Sequence, residues 1–511
     1  MGKIVNSYIF PHPPIIIPEV GEGREIDAIK TIEAAKRAAE DIRKDAPDTI
    51  IITTPHGPYF EDYFYIATDN ILKGDLKQFG APEVKLEFKN NTELVEKIIR
   101  NARAEGIYCG GLENNVLRRM GISKKIDHGA MVPLYFVDKE YRTNKDGAGD
   151  VAGDNAYSAT EDGASDTAGN NANKAGKFKI VLISLANLPY IDVYRFGMCV
   201  RKAVAESDER VVFLASGDLS HTVSHESPYG YNKTGVEFDK LLVKYVSEGD
   251  IKSILNFDPE FCEEAAQCGL RSFLIMFGAL DGYDIYPKVY SYEGPFGVGY
   301  AIAKIEIGDI NMKRKLYEEY KKDMRSKTSN LRENEDPYIS LARFALETYV
   351  REGRIVSQKE YVQKFGDLPE EMTRDKAGTF VSLKRHGELR GCIGTIQPTK
   401  KNIAEEIIHN AISAGTRDPR FFPVGTNELD ELVYSVDVLG EPEPIESMEQ
   451  LDVIKYGVIV RAGYRTGLLL PNLEGIDTPE EQVSIALRKA GISPNEKFTM
   501  ERFQVVRHGA K

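Results

Sequence analysis

Three histidines in the first half of the chain each follow a short apolar run. The runs and their histidines are residues 4–10 with His12, residues 50–54 with His56, and residues 211–215 with His221. Apolar runs of this length, bounded by turn residues, are typical of buried strands. Ligands of open α/β sheets bind beyond the carboxyl ends of the strands, so these positions favour chemistry, and several imidazoles together favour a metal site.

The segment between the first two histidines predicts how they come together. Residues 25–44 are rich in Ala, Ile, Lys and Glu, with apolar residues at helical spacing, which predicts an amphipathic helix between two strands. A strand, a helix and a strand in succession form a parallel unit. We therefore expect His12 and His56 at the same edge of a sheet. The prolines around His12 keep its backbone extended.

Two more histidines have less regular surroundings. His128 precedes an apolar run at 131–137, which we interpret as a strand. A loop histidine bonded to backbone and a functional histidine both fit this position. His221 and His225 have the spacing of a zinc-binding helical pair, but the Thr, Val and Ser between them disfavour a helix, and no Glu follows the first histidine.

The segment 261–277 offers ligands other than histidine. Its apolar part, which runs on to residue 280, predicts a buried helix. Glu264 and Cys268 lie four residues apart, a spacing that places them on one helix face. A buried face with an acid and a thiol must be paired, which favours either residue as a metal ligand. The alternative is an exposed Glu264 with Cys268 as a small core residue.

Composition indicates a globular protein with more than one domain. The chain has 511 residues, of which 42% are hydrophobic and 28% charged, and a net charge of −13. This charge argues against nucleic-acid and anionic-membrane partners. We find no apolar run of about 18 residues, and the first residues lack the apolar stretch of a signal peptide. Five widely spaced cysteines without a Cys-x-x-Cys pair fit a reduced, cytoplasmic protein.

Changes in composition predict the domain boundaries. Residues 144–177 consist mostly of Gly, Ala, Asp, Asn, Ser and Thr, and we expect a mobile surface insertion there between two strands. Residues 309–334 are dominated by charged side chains and predict a partly helical linker. The predicted domains are therefore 1–308 and 335–511.

The second domain carries a cysteine, Cys392, between two nearby glycines. The alternation in 378–396 predicts a hairpin that contains Cys392, a candidate nucleophile or ligand. No catalytic histidine can be assigned to it, and a tightly packed structural cysteine is the alternative. Arg390, Arg417 and Arg420 are candidates for an anion pocket, the alternative being solvated or paired side chains.

The motifs of the first half resemble those of a known superfamily. Phe-Pro-His-Pro-Pro, Thr-Pro-His-Gly-Pro, Ser-Gly-Asp-Leu-Ser-His and Cys-Gly-Leu-Arg follow one another within residues 4–307. Together they resemble the Memo-like and class III extradiol dioxygenase (LigB-like) superfamily. The resemblance implies that His221 is a general base and that His128 contacts an aromatic, catechol-like substrate.

The resemblance also implies a metal site. Two histidines and a glutamate hold Fe(II) in the extradiol enzymes, so His12 and His56 would be ligands. Glu264 is the nearest upstream acid for the third position, whereas Cys268 falls where Memo proteins carry a cysteine. A carboxylate there suits Fe(II), while a thiolate favours Zn or Cu.

The second half resembles the AMMECR1 domain. Leu-Arg-Gly-Cys-Ile-Gly-Thr, Arg-Asp-Pro-Arg-Phe and Thr-Gly-Leu-Leu-Leu-Pro, with the capped helix that follows, carry this resemblance over residues 335–510. The fusion is similar to AMMECR1–Memo pairs found with a radical-SAM protein, which implies such a partner; homo-oligomerisation stays open. We predict an α/β first domain with a doubly wound, mainly parallel sheet, followed by a smaller α+β AMMECR1 domain. The leading hypothesis is an Fe(II) oxidoreductase of extradiol type, and the alternative is a Memo-like metal-binding scaffold or carrier.

Overall fold

A computed structural model describes residues 1–146, 178–473 and 475–509 of the chain. The contacts divide the chain into two units, Met1–Glu319 and Tyr320–Lys511, and each has its own hydrophobic core. Beyond Asp146, the predicted insertion at 144–177 lies outside the described residues. Among the helices in the described ranges, none combines the length and hydropathy that a membrane span requires.

Within residues 1–146 and 178–319, the N-terminal unit is built on one six-stranded sheet and two small two-stranded sheets. Its strands are β1 (Lys3–Phe10), β2 (Thr49–Thr54), β3 (Phe64–Tyr65), β4 (Ile71–Leu76), β5 (Ala81–Lys89), β6 (Cys109–Gly110), β7 (Lys179–Ser184), β8 (Arg210–Ser216), β9 (Tyr283–Glu293) and β10 (Tyr300–Ile310). The six-stranded sheet has the order β7-β2-β8-β1-β10-β9. Its first four strands pair in parallel, and β10 and β9 are antiparallel to their neighbours.

Helices alternate with these strands. They are α1 (Pro18–Gly21), α2 (Ile29–Asp45), α3 (Thr92–Ala104), α4 (Asn114–Arg119), α5 (His128–Asp146), α6 (Tyr190–Ala205), α7 (Lys233–Glu248), α8 (Ile251–Leu255), α9 (Pro259–Glu264), α10 (Leu270–Ala279) and α11 (Leu316–Glu333), which crosses the boundary between the units. One face of the sheet shares a core with α2 and α5, while Ile9 on the other face lies near Leu242 of α7 and Phe273 of α10. Helices therefore cover both faces, and the predicted α/β class is confirmed.

The strand register sets the edge where chemistry is expected. In the parallel pairs, Phe10 lies beside Ser216 and Thr54 beside Ser184, while Thr53 lies beside Ala215. The carboxyl ends of β1, β2, β7 and β8 therefore meet at one edge. The strands are buried on both faces, as continuous runs of Ile, Val, Leu and Phe predict for a parallel sheet.

Two local predictions are wrong. Residues 131–137 belong to α5 instead of a strand, because a continuous apolar run does not distinguish a buried strand from a buried helix. Glu264 and Cys268 do not share a helix face: α9 ends at Glu264, and α10 begins only at Leu270. Ala266, between these helices, has a left-handed φ of 50°, which breaks the helical path.

The C-terminal unit combines two four-stranded antiparallel sheets with helices. Its strands are β11 (Thr379–Arg385), β12 (Glu388–Gly394), β13 (Leu432–Leu439), β14 (Glu443–Ile445), β15 (Gly457–Ala462), β16 (Arg465–Leu469), β17 (Thr499–Phe503) and β18 (Val505–His508), in the orders β12-β11-β13-β18 and β14-β17-β15-β16. Its helices are α12 (Pro337–Glu352), α13 (Gln358–Phe365), α14 (Glu370–Arg374), α15 (Ile403–Thr416) and α16 (Pro479–Ala490). The first sheet shares a core with α12 and α15, and the second with α16.

Candidate metal centre

Three histidines converge at the carboxyl edge of the first sheet. His12 follows β1, His56 follows β2, and His128 is the first residue of α5. One ring nitrogen from each lies within 4.8 Å of the others. His12 is buried with 1% of its surface exposed, His128 is half-buried, and His56 is exposed at the mouth of the site. Residues separated by more than 100 positions in sequence thus form one cluster.

His12 is held from several directions. Its backbone N–H donates to a carboxylate oxygen of Asp218 at 2.8 Å, and its Nδ1 lies 3.0 Å from the hydroxyl of Ser216. Its Nε2 lies 2.9 Å from Nε2 of His56. Two ring nitrogens that face each other at this distance share either one proton or one ion.

His128 packs against His56 in a stacked arrangement. The ring centroids are 4.1 Å apart, with 26° between the ring planes. The preceding Asp127 accepts hydrogen bonds from the Thr54 hydroxyl at 2.5 Å and from the Gly129 N–H at 2.9 Å. Asp127 therefore joins the start of α5 to the end of β2, and this connection places His128 beside His56.

The protonation of the cluster suits metal binding. Burial lowers the pKa of His12 well below its usual value, and the neighbouring His56 and His128 lower it further. Burial also lowers the pKa of His56, and it lowers that of His128 to about 4, with His56 contributing. At neutral pH these imidazoles are uncharged, which is the form that binds a metal ion.

His221 lies near the cluster but outside the group of three. Its Nδ1 lies 2.6 Å from the carbonyl oxygen of Ala266. Because a carbonyl only accepts, Nδ1 carries the proton and Nε2 keeps its lone pair. The left-handed backbone at Ala266 places this carbonyl. Burial lowers the pKa of His221, so it is a neutral imidazole whose proton lies on Nδ1.

Cys268 contacts the innermost histidine. Its Sγ lies 3.7 Å from Nε2 of His12 and accepts the Asp218 N–H at 3.3 Å. Burial, with the nearby carboxyl of Asp218, raises the pKa of Cys268 well above the usual value for a thiol. The side chain is therefore a neutral thiol until a cation is bound beside it.

Glu264 does not join the cluster. Its side chain is exposed, and its carboxylate accepts a hydrogen bond from the Thr234 hydroxyl at 2.7 Å. Among the described residues, Asp218 is an acid that does lie close to the histidines, with a carboxylate oxygen 3.8 Å from His12 Nε2. Burial raises the pKa of Asp218 to about 7. His225 is exposed and its ring packs on Tyr231, so it too lies outside the cluster.

Sequence reasoning missed three residues that hold this site. Asp218 lies within the Ser-Gly-Asp-Leu-Ser-His motif, and its position directly after a buried strand was a usable signal. Asp127 immediately precedes His128, where an acid before a helix predicts an N-cap. Ser216 is the last residue of β8 and is fully buried. Its hydroxyl contacts His12, just after β1, and Gly129 in α5, so no local pattern reveals them.

Aromatic side chains border the histidines. The ring of Phe79 lies 5.1 Å from that of His128, and Tyr229 lies 6.2 Å from His221 in an edge-on arrangement. Tyr229 is 74% exposed. These rings provide flat, apolar surfaces beside the polar cluster, as planar ligands require.

The candidates in the C-terminal unit are mostly paired. Arg390 binds both carboxylate oxygens of Glu428, at 2.7 and 3.0 Å, and Arg420 binds Asp418. Arg417, which follows α15, is exposed. Since carboxylates neutralise two of the three guanidinium groups, these residues do not form a pocket of free positive charge.

Cys392 is enclosed by hydrogen bonds. Its Sγ lies 3.2 Å from the Ser382 hydroxyl, and its N–H donates to Asp418 at 2.9 Å. Burial raises the pKa of the Cys392 thiol. A protonated thiol is a weak nucleophile, so this environment favours a structural role.

The histidine cluster fits a metal ion. Neutral imidazoles from three elements direct nitrogens at one another, and the 2.9 Å separation of two of these nitrogens is close to that of adjacent ligands with ordinary metal–nitrogen bonds of about 2.1 Å. A thiol and a carboxyl group lie within 4 Å of His12 Nε2. These are all groups that bind transition metals.

Comparisons with known proteins agree with this architecture. A family model for the catalytic LigB subunit of aromatic ring-opening dioxygenase matches residues 6–303, and a model for AMMECR1 matches residues 339–508. A protein of Clostridium acetobutylicum is 43% identical over 503 residues, which is 98% of each chain. A Thermotoga maritima protein is 50% identical over 177 residues, 33% of this chain and 98% of its own.

Two solved structures are also similar. An uncharacterized protein from Pyrococcus horikoshii is 34% identical and covers 33% of this chain and 88% of its own, with a TM-score of 0.31. An uncharacterized protein from Escherichia coli K12 is 10% identical and covers 59% of this chain and 99% of its own, with a TM-score of 0.37. The two family matches confirm the predicted fusion, and the chain belongs to the LigB family of aromatic ring-opening dioxygenase catalytic subunits, with an AMMECR1 domain after the LigB domain.

Proposed function

We propose that the N-terminal unit is a metal-dependent oxidoreductase of the extradiol dioxygenase type that acts on a small aromatic, catechol-like substrate. The observation that carries this proposal is the convergence of His12, His56 and His128 beside an aromatic border at the edge of the sheet. The match of residues 6–303 to a ring-opening dioxygenase family supports the same reaction class.

In this proposal His12 and His56 hold Fe(II). Fe(II) held there would supply the redox and Lewis-acid chemistry for a reaction between O₂ and an aromatic diol. His12 is the innermost and most rigid ligand, because its backbone and both ring nitrogens have partners. His56, at the mouth, leaves one side of the site open to a ligand from solvent.

His221 and His128 act on the substrate in this proposal. The basic Nε2 of His221 takes the proton of an aromatic hydroxyl, since its Nδ1–H is committed to the Ala266 carbonyl. His128 contacts the substrate, and Phe79 packs against the His128 ring. Tyr229 and Phe79 offer flat, apolar faces that orient the aromatic ring of the substrate.

Metal analysis of anaerobically purified protein tests this function. We expect close to one Fe(II) per chain and O₂ consumption with a catechol panel. His12→Ala should lose the metal, whereas His225→Ala, a change at an exposed histidine outside the cluster, should keep it. Retention of metal by His12→Ala would reject the ligand assignment, and iron without O₂ uptake on any diol would reject the reaction.

The position of Cys268 favours a second candidate function. A thiol 3.7 Å from His12 Nε2, with Glu264 turned away, suits a softer metal such as Zn or Cu. The unit would then be a Memo-like metal-binding scaffold or carrier, and a radical-SAM partner would perform the catalysis. Tight Zn or Cu binding that Cys268→Ser weakens, without O₂ uptake, would favour this function over the first.

A further inference from the structure

The inner face of His12 makes a hydrogen-bond chain that determines which ring nitrogen carries its proton. Nδ1 lies 3.0 Å from the Ser216 hydroxyl oxygen, which lies 2.5 Å from the carbonyl oxygen of Gly129. A carbonyl can only accept, so the single hydroxyl proton of Ser216 points to Gly129. The hydroxyl oxygen must then accept from Nδ1–H of His12. This leaves the lone pair of Nε2 facing His56.

The Gly129 carbonyl is available because of a proline. Gly129 lies in the first turn of α5, where its carbonyl would normally accept from the N–H four residues later. That residue is Pro133, inside the helix, and proline has no N–H. The carbonyl that α5 leaves without its usual helical partner is the one that Ser216 bonds.

We propose that Ser216 and Pro133 are positioning residues that hold His12 in the tautomer with its proton on Nδ1, so that Nε2 presents its lone pair to a metal ion. Neither residue contacts the nitrogen that would bind the metal. The metal-binding part of this inference rests on the proposed function, whereas the tautomer is a property of the metal-free protein. Ser216 has no exposed surface, so water does not replace the missing hydroxyl readily.

The test uses full-length, metal-free protein with ¹⁵N-labelled histidine, whose ring nitrogens report the tautomer by NMR. His12→Gln identifies the His12 signals among the eight histidines. We expect Nδ1–H in the wild type and a shift towards Nε2–H in Ser216→Ala. Pro133→Ala restores an N–H that competes for the Gly129 carbonyl and should produce a smaller shift in the same direction.

The same variants are then titrated with Zn²⁺. Loss of an outer partner of a ligand histidine typically weakens metal affinity about 10- to 100-fold, and we expect this for Ser216→Ala. Ser7→Ala is the matched control: Ser7 is fully buried in β1 of the same sheet, and its hydroxyl makes no hydrogen bond among the described residues. It should leave both the tautomer and the affinity unchanged.

The outcomes separate this inference from the proposed function. An unchanged Nδ1–H tautomer in Ser216→Ala, or Zn²⁺ affinity equal to that of the wild type and the control, would overturn the role of Ser216. An unchanged tautomer in Pro133→Ala would overturn the role of Pro133. If wild-type protein binds neither Zn²⁺ nor Fe(II), while Ser216→Ala still changes the tautomer, the proposed function fails and the positioning role stands.

Discussion

Replacing Gly217 by alanine tests how the loop after β8 holds the site together. A Cβ at this position would lie 2.1 Å from the Cα of Gly269, in the loop that carries Cys268. Non-bonded carbon atoms prefer separations of about 3.5–4.0 Å, so the two loops must move apart by more than about 1 Å. The movement breaks the 3.3 Å contact between the Asp218 N–H and the Cys268 sulfur.

The expected cost follows from these contacts. Overpacking of a closed site destabilises a protein by about 1–3 kcal/mol, and the lost hydrogen bond contributes about 1 kcal/mol more. Because about 1 kcal/mol lowers the Tm of a large domain by roughly 2–4 °C, a cost of about 2–4 kcal/mol should lower the melting transition of the N-terminal unit by roughly 4–16 °C.

Calorimetry of the full chain measures the shift, and alkylation followed by mass spectrometry measures the exposure of the Cys268 thiol. Gly217→Ala should label faster at Cys268 and bind Zn²⁺ more weakly. Gly440→Ala is a control, since a Cβ there has its nearest neighbour at 3.3 Å, the Gln504 carbonyl oxygen. A Tm within about 2 °C of the wild type, with unchanged labelling, would refute the reasoning.

Two pH-dependent predictions concern buried carboxyl groups. Burial alone would raise the pKa of Glu431, but the neighbouring His386 and Arg385 outweigh it and lower the pKa to about 2. The folded-state value is below the unfolded one, so the ionised group contributes about 3 kcal/mol at pH 7 and about 1.5 kcal/mol at pH 3. Urea unfolding of Glu431→Gln should show this loss, and equal differences from wild type at both pH values would contradict it. Burial raises the pKa of Asp239 to about 7, so its ionisation destabilises the fold as the pH rises from about 4 to 7. Asp239→Asn should therefore raise the free energy of unfolding by up to about 4 kcal/mol at pH 8 and change it little at pH 4; no gain at pH 8 would argue against this cause.

The convergence of His12 and His56 was predictable in part from local order. A strand, the helix α2 and a second strand follow one another within about 50 residues, which predicts that β1 and β2 run parallel with their carboxyl ends at one edge. The sequence did not show that β8 lies between them and pairs in parallel with both. Helix caps can also be predicted from the local sequence: Asp336, followed by Pro337, caps α12 with its side chain.

The rest of the site depends on contacts that no local pattern reveals. The apolar run at 131–137 would be buried as a helix or as a strand, so its pattern does not distinguish the two. Asp127, which precedes α5, favours the helix, but it is held there by the Thr54 hydroxyl, 73 residues away in the chain. Glu264 and Cys268 separate because one backbone angle, at Ala266, ends the helix between them. The hydroxyl of Ser216 donates to the carbonyl of Gly129, which lies 87 residues away in the chain.

The place of β1 in the sheet affects how the chain assembles during synthesis. This strand is made before both of its neighbours, which begin at residues 210 and 300, with Ile9 pairing Ala215 on one side and Ala303 on the other. Most of the N-terminal unit must therefore leave the ribosome before the central strand finds either partner. A nascent chain that stalls before residue 300 would keep one side of β1 open to other chains, so this segment is where we expect chaperones to bind during translation.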